Sequence, residues 1–563
     1  MGLGRPLPPG SRNSARAHTP HAREPGDLEG AASPVVGSGQ PREGPEPQSV
    51  VSYFEESDKG MVPEKPAKTR VTPVESVEGR PAAEGKSAAR NASRAQDRQD
   101  APTQVMRIGQ RAKEKKGERF DNLLSAIKAP LLKEAYQRLR RRAAPGVDGV
   151  TWEAYGEHLD ARLLDLQDRI HRGSYHPQPV RRVHIPKGDG RTRPLGIPAL
   201  EDKLVQQAAR MVLEPIYERA FLGFSYGFRP GRGQHDALNA LGEAIGRKTS
   251  WVLDADIRSF YDTIDHGWMQ KFLEHRIGDR RMVRLLMKWL HAGVIEEGEL
   301  REVKEGTPQG GIISPLLANV YLHYAFDLWV NQWRKRHARG EVYIVRYADD
   351  LAMTFQYEQD ARAMREALAS RLAKFGLELH PDKTRVIRFG RFARQDAERD
   401  GRTRPETFDF LGFTHIAGVS RRGEFLLKRR TSRKKRNAKL ASLREEMHER
   451  RHEPVPTQHA WLSSVLVGHF RYYGVPTNYR ALQQFRERVR ASWHRQLQRR
   501  SQRAHWSRRQ RTGFDERFPL PPPRIHHPWP TLPRASPSTR GGSPVREIRS
   551  PGSVRGAAQT DRR

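Results

Sequence analysis

Cysteine is absent from this chain of 563 residues. Its absence excludes a disulfide framework, a thiolate zinc site, an iron–sulfur cluster and a cysteine nucleophile, and it leaves the compartment open, a reducing cytosol being compatible. Long apolar runs are also missing: we find no stretch of about 18 or more apolar residues, so no membrane span is expected. The N-terminal residues lack the apolar core of a secretory signal, so none is predicted.

Acidic residues are scarce relative to basic ones. The chain has 66 Asp+Glu against 101 Lys+Arg, a formal net charge of +35 and a pI near 10.7. Such an excess predicts a polyanionic partner, of which nucleic acid is the commonest. The alternative is a solvated, arginine-rich surface without a specific partner.

Composition divides the chain into three kinds of sequence. Residues 1–105 are rich in Pro, Gly, Ala, Ser and charge. We expect them to be mostly disordered, apart from a short apolar stretch at 50–54, because they bury too little apolar surface to offset their ordering entropy. From residue 106, helical and β-rich runs alternate without strict βαβ order, which favours an α+β fold. The last third is basic and ends in a tail, 534–563, that is again expected to be disordered.

The clearest chemical signal is the run Tyr347-Ala348-Asp349-Asp350, which lies between two β-rich segments. Two adjacent carboxylates in a tight turn repel each other. Divalent cations between them would offset this repulsion, so the run predicts a metal site. The alternative is an ordinary surface β-turn, in which Asp is common.

A third carboxylate, Asp256, ends the β-rich run WVLDAD. Beside Asp349 and Asp350 it would complete a two-metal site, where two Mg²⁺ ions clamp the attacking and leaving oxygens of an in-line phosphoryl displacement. Three nearby aspartates are expected to serve only in caps and turns: Asp254, Asp262 and Asp265.

A loop rich in Gly and Pro, GTPQGGIISP at 306–315, lies between the two carboxylate segments. Ser314 and Pro315 suit the cap and first turn of a following helix. The functional interpretation is a backbone that approaches a nucleotide closely, with Gln309 as a hydrogen-bonding side chain. The alternative is an ordinary loop before a helix.

The order of the motifs resembles that of the bacterial group II intron-encoded reverse transcriptase/maturases. The resemblance covers roughly residues 120–530, and the segments that carry it are Arg181–Gln206, Phe224–Leu238, Trp251–His266, Gly306–Tyr324, Tyr347–Asp350, Gly376–Gly390, Phe408–His415 and Gly468–Asn478. The last of these, GHFRYYGVPTN, resembles the core motif of the maturase (X) region. Taken jointly, the segments are far more specific than any one of them.

The resemblance implies roles for the matching positions. Asp256 and Asp349 would bind Mg²⁺ directly, with the backbone carbonyl of Ile257, and Asp350 would be the third catalytic carboxylate. The FLGF segment, Phe410–Phe413, would hold the primer end. The residues implied to contact the incoming dNTP are Lys187 and Arg193 at the triphosphate, Tyr261 under the sugar to exclude a ribose 2′-OH, Gln309 beside it, and Lys383 near the phosphates. For the supporting residues, packing or surface charge is the alternative.

The basic C-terminal third suits RNA binding. The candidate phosphate contacts are Arg429, Arg430, Arg433, Lys434, Lys435, Arg436, Arg499 and Arg500. Tyr472 and Tyr473 are candidates for stacking on bases, with core packing as the alternative. A structured intron RNA would be recognised mainly by its shape, backbone and unpaired loops.

The implied fold is an α+β right-hand polymerase followed by an α-helical thumb. We expect fingers with the start of the palm at 106–250, and a palm with an antiparallel sheet at 251–420. A helical thumb/maturase (X) domain at 421–505 and a basic, Pro-rich nucleic-acid-binding extension at 506–533 would follow.

The implied function is that of an RNA-directed DNA polymerase and intron maturase. It would bind group II intron RNA, assist its splicing and copy it into DNA during intron mobility, with two Mg²⁺ ions per active site and Mn²⁺ as a substitute. Its other partners would be target DNA, the primer strand and dNTPs, and it would lie in the bacterial cytoplasm, on the nucleoid when bound to target DNA. The oligomeric state stays open, a dimer included.

Two alternatives and two departures accompany this interpretation. The chain would otherwise be a splicing-only, RNA-binding maturase, or a reverse transcriptase of the retron, diversity-generating or CRISPR-associated class. Family members with a DNA endonuclease carry a Cys-containing His–Asn–His-type module at the C-terminus, and this chain has no Cys. We therefore expect priming from a nascent strand at a replication fork. After Pro533 the resemblance ends, which suggests a frameshift or an altered ending.

Overall fold

The computed structural model describes most of the chain beyond the N-terminal hundred residues. The described ranges are 104–115, 117–186, 192–296, 299–301, 306–307, 310–501 and 505–528. The segment expected to be disordered at the N-terminus lies outside them except for residues 104 and 105, which begin the first helix. The apolar stretch at 50–54 and the tail at 534–563 also lie outside.

Helices and strands are intermixed along the described residues. The helices are α1 (104–114), α2 (Ala129–Arg138), α3 (Trp152–Gly156), α4 (Leu159–Arg172), α5 (Leu200–Ala220), α6 (Gln234–Gly246), α7 (His266–Arg276), α8 (Arg280–Leu290), α9 (Ser314–Leu322), α10 (Leu328–Arg336), α11 (Glu358–Ala373), α12 (Ala393–Arg399), α13 (Arg433–Glu449), α14 (Val455–Tyr473), α15 (Tyr479–Gln498) and α16 (Arg508–Arg517). The strands are β1 (Val180–Pro186), β2 (Thr192–Ile197), β3 (Trp251–Asp256), β4 (Val294–Glu296), β5 (Glu299–Arg301), β6 (Val342–Tyr347), β7 (Asp350–Phe355), β8 (Arg385–Arg388), β9 (Thr407–Phe410), β10 (Phe413–Val419) and β11 (Phe425–Thr431). A π-helical segment, His323–Asp327, joins α9 to α10.

The N-terminal region combines helices with a small mixed sheet. Strands β1 and β2 form an antiparallel hairpin, with Pro186 opposite Thr192. Strand β4 pairs with β1 in parallel, which gives the order β2-β1-β4-β5. Helix α5 supplies much of the core here, since Leu204, Ala208 and Val212 are completely buried.

The central sheet is antiparallel throughout, as the sequence predicts, with the order β6-β7-β3-β8. Helix α6 covers it with Leu238 and Leu241, which pack in one core with Val252 and Ala352 of the strands. Helix α11 also packs on β3, β7 and β8. The β-branched and apolar runs that suggest strands are therefore the buried interior of this sheet.

A third sheet, β11-β10-β9, joins the central sheet to the C-terminal helices. The hairpin of β10 and β11 crosses residue 420, where the palm is expected to end. Helices α13, α14 and α15 then share one apolar core with Leu440, Leu466, Phe485 and Trp493. None of the helices in the described part combines the length and apolar character needed to cross a bilayer.

Apolar spacing predicts single helices at Trp152–Ile170 and at 460–497, and the structure divides each of them. The segment Trp152–Ile170 breaks at His158, whose φ of 54° is left-handed and begins α4. The apolar stripe at 460–497 breaks between α14 and α15, where Gly474 ends α14 and the 3-10 turn Pro476–Asn478 precedes α15. Apolar spacing continues across both breaks, so the pattern alone does not reveal them.

Candidate active site

Strand pairing brings the predicted carboxylates together. Asp256, the last residue of β3, lies directly opposite Asp350, the first residue of β7. Tyr347 pairs with Asp350 across the hairpin of β6 and β7, so Ala348 and Asp349 form a two-residue turn at the end of the sheet. Ala348 has a left-handed φ of 56°, a conformation that usually favours glycine at this turn position. The register therefore places all three aspartates at the same end of the sheet.

The pKa of the Asp350 carboxyl is raised at this site. Burial among protein atoms, followed by Asp349 and Asp256, raises the pKa of Asp350 to about 7, while Lys435 and Lys383 oppose the shift. Solvent reaches Asp350 through the open cleft. The site has excess negative charge that a cation would balance.

Lys383 supplies a positive charge inside this cluster. Its Nζ lies 2.5 Å from Oδ2 of Asp256, although the resemblance places it near the nucleotide phosphates. It follows the short loop after the Ile257–Leu379 bridge, where the amide of His380 donates to the carbonyl of Asp256 at 2.8 Å. Lys383 therefore occupies the position of a counter-ion to Asp256.

The donor set fits a hard divalent cation. Its side-chain atoms are carboxylate oxygens, the ligands that Mg²⁺ prefers. As the side chains stand, no three acidic or histidine residues of the described ranges converge around one point closely enough to hold an ion. In addition, the ammonium group of Lys383 lies against Oδ2 of Asp256, one of the oxygens that a cation would use. Sequence reasoning did not anticipate this pairing.

The loop before α9 is tied to the turn that carries Tyr261. Tyr261 lies in a 3-10 turn, Phe260–Asp262, and its carbonyl accepts a hydrogen bond from the amide of Thr307 at 2.7 Å. Gly306 has a φ of 87°, and a Cβ there would lie 2.8 Å from the carbonyl oxygen of Tyr261. Nε2 of the buried His266 lies 2.6 Å from the carbonyl oxygen of Gly306. His266 is a supporting residue that the sequence did not single out, although it ends the motif TIDH.

The same loop also contacts the N-terminal region. A Cβ on Gly310 would lie 2.2 Å from the carbonyl oxygen of Gly196 in β2, so only glycine allows this approach. The buried Gln206 of α5 accepts a hydrogen bond from the amide of Ile312 at 2.8 Å. The predicted nucleotide pocket is therefore assembled from three distant segments.

Three of the residues predicted to contact the dNTP lie outside the described structure, either entirely or with their side chains. Lys187 and Gln309 lie outside the described residues. Arg193 lies on β2 opposite Ile185, and its side chain is outside the description. Their roles stay predictions.

The carboxylates open into a cleft of about 560 Å³, whose lining includes Asp254, Asp256, Asp350, Lys383, Arg385, Asp409 and Leu411. Leu411 and Gly412 form the turn between β9 and β10, both with left-handed φ, and Phe410 pairs with Phe413 across it. The hydroxyl of Tyr472 donates to the carbonyl of Leu411 at 2.9 Å. The predicted primer-holding segment thus borders the cleft.

Asp254 is part of the cleft wall as well. Burial raises its pKa to about 7, and the acidic neighbours Asp350 and Asp256 add to this against the opposing charge of Arg385. The expected duty of Asp254 in a cap or turn is wrong, because it lies within β3, opposite Ala352 and Arg385. Asp265 does cap α7, where its side chain accepts from the amide of Trp268.

The predicted phosphate contacts separate into exposed and buried residues. Arg430, Arg433, Lys434 and Lys435 are exposed at the end of β11 and the first turn of α13, and Lys435 is close enough to lower the pKa of Asp350. The remaining positions are half-buried Arg436, exposed Arg499 at the end of α15, and Arg500, which donates to the backbone carbonyl of Arg451 at 2.5 Å. Of this exposed group, Lys435 therefore lies near the catalytic carboxylates.

Arg429 requires a correction. Its side chain is buried, and its guanidinium donates to the carbonyl of Leu238 and to Asn239 of α6. Burial lowers its pKa to about 10. Strand alternation explains the difference, because Arg429 points inward where Arg430 points outward. Arg429 is a packing residue and not a nucleic-acid contact.

Tyr472 and Tyr473 are half-buried at the junction of the thumb with the third sheet. The ring of Tyr472 stacks on Phe413 with 5.9 Å between centroids, and Tyr473 lies 5.1 Å from the same ring. These contacts favour the packing interpretation of both tyrosines. Their stacking on RNA bases stays a prediction.

Comparison with known proteins gives a consistent result. Residues 185–415 match the family described as reverse transcriptase (RNA-dependent DNA polymerase). Protein YkfC of Escherichia coli is 37% identical over 346 residues, which cover 54% of this chain and 86% of YkfC. The group II intron-encoded protein LtrA of Lactococcus lactis subsp. cremoris is 37% identical over 241 residues, or 42% of this chain and 40% of LtrA. A putative COX1/OXI3 intron 1 protein of Saccharomyces cerevisiae is 31% identical over 224 residues, or 39% of this chain and 27% of that protein. The chain thus spans most of YkfC and less than half of the two intron proteins.

Proposed function

Since the chain belongs to the group II intron-encoded reverse transcriptase and maturase family, we propose that its central cleft copies intron RNA into DNA. The observation that carries the proposal is the register of β3 with β7, which sets Asp256 opposite Asp350 and next to the turn at Asp349. Nucleotidyl transfer at such a site requires divalent metal to balance clustered carboxylates and phosphates. The reaction joins the primer 3′-OH to the α-phosphate of a dNTP, with pyrophosphate as the leaving group.

Asp256, Asp349 and Asp350, with the carbonyl of Ile257, are the residues proposed to hold Mg²⁺, with Mn²⁺ as a substitute. When bound, two such ions would stabilise the charge that develops on the attacking and leaving oxygens. Lys383 balances the charge of Asp256 in the structure, and we propose that it turns to the nucleotide phosphates once metal replaces it. Tyr261 would lie against the sugar, held there by the bond of its carbonyl to Thr307.

The first turn of α13 supports contact with a nucleic-acid backbone. Arg433, Lys434 and Lys435 are exposed there, at the helix end whose dipole is positive. Basic side chains at this end are unfavourable in the free protein, because like charges meet. Phosphate groups would remove the conflict and release counter-ions. The position beside the carboxylates suits the primer strand or its RNA template.

Binding of group II intron RNA, assistance of its splicing and contact with target DNA are proposed for the whole chain. Their support is the family and the excess of basic residues. A bacterial cytoplasmic location, on the nucleoid when DNA is bound, is proposed on the same ground. The rival is a maturase that binds RNA without polymerising, and the intact set of three carboxylates favours the polymerase.

The test is primer extension on a poly(rA)/oligo(dT) template with Mg²⁺ and dTTP. We expect synthesis by the wild type and a loss of at least about a hundredfold in Asp349→Ala, because charge stabilisation at the reacting phosphate is removed. Asp382→Ala is the matched control, since Asp382 is an exposed aspartate lining the same cleft but lies outside the β3–β7 pair.

Splicing of the intron RNA is measured with the same proteins. We expect Asp349→Ala to assist splicing as the wild type does. No extension by wild-type protein that still binds RNA would instead establish the splicing-only maturase. Equal loss of extension in Asp382→Ala would show that the cleft as a whole, and not the paired carboxylates, determines activity.

A further inference from the structure

A buried arginine lies directly beneath the catalytic turn. Arg346 is the residue before Tyr347 in β6, and its side chain has no exposed surface. Its Nε and Nη2 donate to the two carboxylate oxygens of Asp327 at 2.7 and 2.6 Å. Its Nη1 donates to Oδ1 of Asn319 at 2.9 Å and to the carbonyl oxygen of Ala348 at 3.1 Å. One guanidinium thus joins α9, the π-helical segment and the turn itself.

The turn that Arg346 contacts is in an unfavourable backbone conformation. Ala348 has a φ of 56°, which places its Cβ against its own backbone where glycine would have none. Such a conformation persists only where the surrounding structure fixes it. The bond from Arg346 to the Ala348 carbonyl is one such contact, and it reaches the peptide that leads into Asp349.

A second segment, around Gly227, lies in close contact with the turn. A Cβ on Gly227 would lie 2.3 Å from the amide nitrogen of Ala348. Asn319, which accepts from Arg346, donates through Nδ2 to the carbonyl of Gly227 at 2.8 Å. The backbone of Arg346 also exchanges hydrogen bonds with Phe224 and Tyr226 at 2.9 and 2.8 Å. The network therefore fixes the turn, the segment beside it and the helix below it as one unit.

Stability alone does not explain this arrangement. Burying an ion pair loses the hydration of both charges, and well-packed apolar residues of similar volume are often as stable or more so. Asp327 comes from a π-helical segment, a feature that is frequent at functional sites. The network ends on the peptide between Ala348 and Asp349, the first catalytic carboxylate of the turn.

We propose that Arg346 is a positioning residue for the catalytic turn. By donating to the carbonyl of Ala348 while held by Asp327 and Asn319, it keeps the turn in the left-handed conformation that directs Asp349 and Asp350 to the metal position. It touches neither substrate nor metal. The proposal rests on the proposed polymerase function and adds to it a residue that acts through the backbone.

The experiment compares Arg346→Lys with Arg371→Lys in the full chain. Lysine keeps the charge but cannot reach, in a fixed planar array, the four acceptor atoms that the guanidinium of Arg346 contacts on three residues. Arg371 is the matched control: it is also fully buried, and it donates to the carbonyls of Ala325 and Tyr324 in the same π-helical segment. Both variants are checked for folding by thermal unfolding, and then measured in the poly(rA)/oligo(dT) assay and for Mn²⁺ binding by the EPR signal of the free ion.

For Arg346→Lys we expect kcat to fall about tenfold to a hundredfold, because small displacements of reacting groups have effects of this size. The KM for dTTP should change little, and Mn²⁺ binding should weaken several-fold. Arg371→Lys should keep kcat and Mn²⁺ binding within about twofold of the wild type. We expect this even if its unfolding temperature falls as far as that of Arg346→Lys.

Equal kcat and Mn²⁺ binding in the two lysine variants would overturn the proposal, and so would losses that follow the unfolding temperature in both. If Arg346→Lys does not fold, Asn319→Ala is tested by the same criteria. This variant keeps the ion pair of Arg346 with Asp327 but removes the hydrogen bonds of Asn319 to Arg346 and to the carbonyl of Gly227. A wild-type protein without any synthesis would contradict the proposed function instead. Mn²⁺ binding would then still report whether Arg346 positions the carboxylates.

Discussion

At the scale of single residues, the buried histidines link the fold to pH. His415 of β10 has no exposed surface and stacks on Phe408 with 4.7 Å between ring centroids. Burial, and then the positive charge of Arg429, lower its pKa to about 3. His235 and His469 are shifted in the same direction, each to about 4 by burial. The folded protein therefore keeps these rings neutral where the unfolded chain would protonate them.

His415→Phe should make the protein less sensitive to acid. The unfolded imidazole binds a proton below pH of about 6.5 and the folded one does not, so stability is full above that pH and falls as the pH drops towards 3. At pH 5 the loss from this one residue amounts to about 2 kcal/mol. Unfolding by urea at pH 7 and pH 5 measures the difference.

The phenylalanine variant should lose less stability between the two pH values than the wild type. His448→Phe serves as the control, because His448 is exposed on α13. If His415→Phe loses as much stability between pH 7 and pH 5 as the wild type, the imidazole of His415 is protonated in the folded wild-type protein.

At the scale of elements, the segment after α16 belongs structurally to the thumb. Leu520 is buried in the core of α13–α15, and the guanidinium of Arg486 donates to its carbonyl at 2.8 Å. The amides of His526 and His527 donate to the carbonyl of Gly474 between α14 and α15. His527 also stacks on His235 at the start of α6, with 3.3 Å between centroids. The Pro-rich stretch thus packs on the thumb where α14 ends and α15 has not yet begun. Its expected contact with nucleic acid stays a prediction.

Leu520→Ala should destabilise the thumb by about 3 kcal/mol, because a leucine removed from a packed core leaves a cavity. Thermal unfolding and limited proteolysis of the full chain measure the effect. Ile525→Ala is the matched control in the same segment, since Ile525 is 39% exposed. Equal behaviour of the two variants would show that the segment does not share the core in solution.

At the scale of the whole molecule, charge and cleft geometry act together. The chain carries 101 basic and 66 acidic residues, yet the catalytic edge is a concentration of aspartates. The exposed Lys435 at the start of α13 lies close enough to lower the pKa of Asp350. We propose that a polyanion attracted by the overall charge binds Lys435 and the cations beside it, next to the carboxylates.

Lys434→Gln combined with Lys435→Gln should weaken binding of an RNA/DNA duplex and reduce its dependence on salt. Each lost phosphate contact lowers the slope of log Kd against log salt by about one. Fluorescence anisotropy between low and moderate salt measures the slope. Arg444→Gln is the control on the same helix, exposed and more than two turns away. A slope that changes equally in both would indicate a diffuse charge effect.

The sequence by itself determined the chemistry of this protein. It predicts an α+β fold with an antiparallel palm sheet, which the structure confirms, and the family that the comparisons show. The α+β class follows from the periodicity of the apolar residues, whereas the antiparallel palm sheet and the family follow from the resemblance carried by the motifs around Asp256, Asp349 and Asp350. Such features depend on neighbours along the chain, so they can be read without a fold.

Only the tertiary structure decided which side chains meet. The register of β3 with β7, the pairing of Lys383 with Asp256 and the inward direction of Arg429 all join residues that are distant along the chain. A shift of one residue in strand register moves every side chain to the other face of the sheet, and packing against α6 selects which face is buried. The network of Arg346 depends on a π-helical segment and a left-handed alanine, and neither has a signature in composition or spacing.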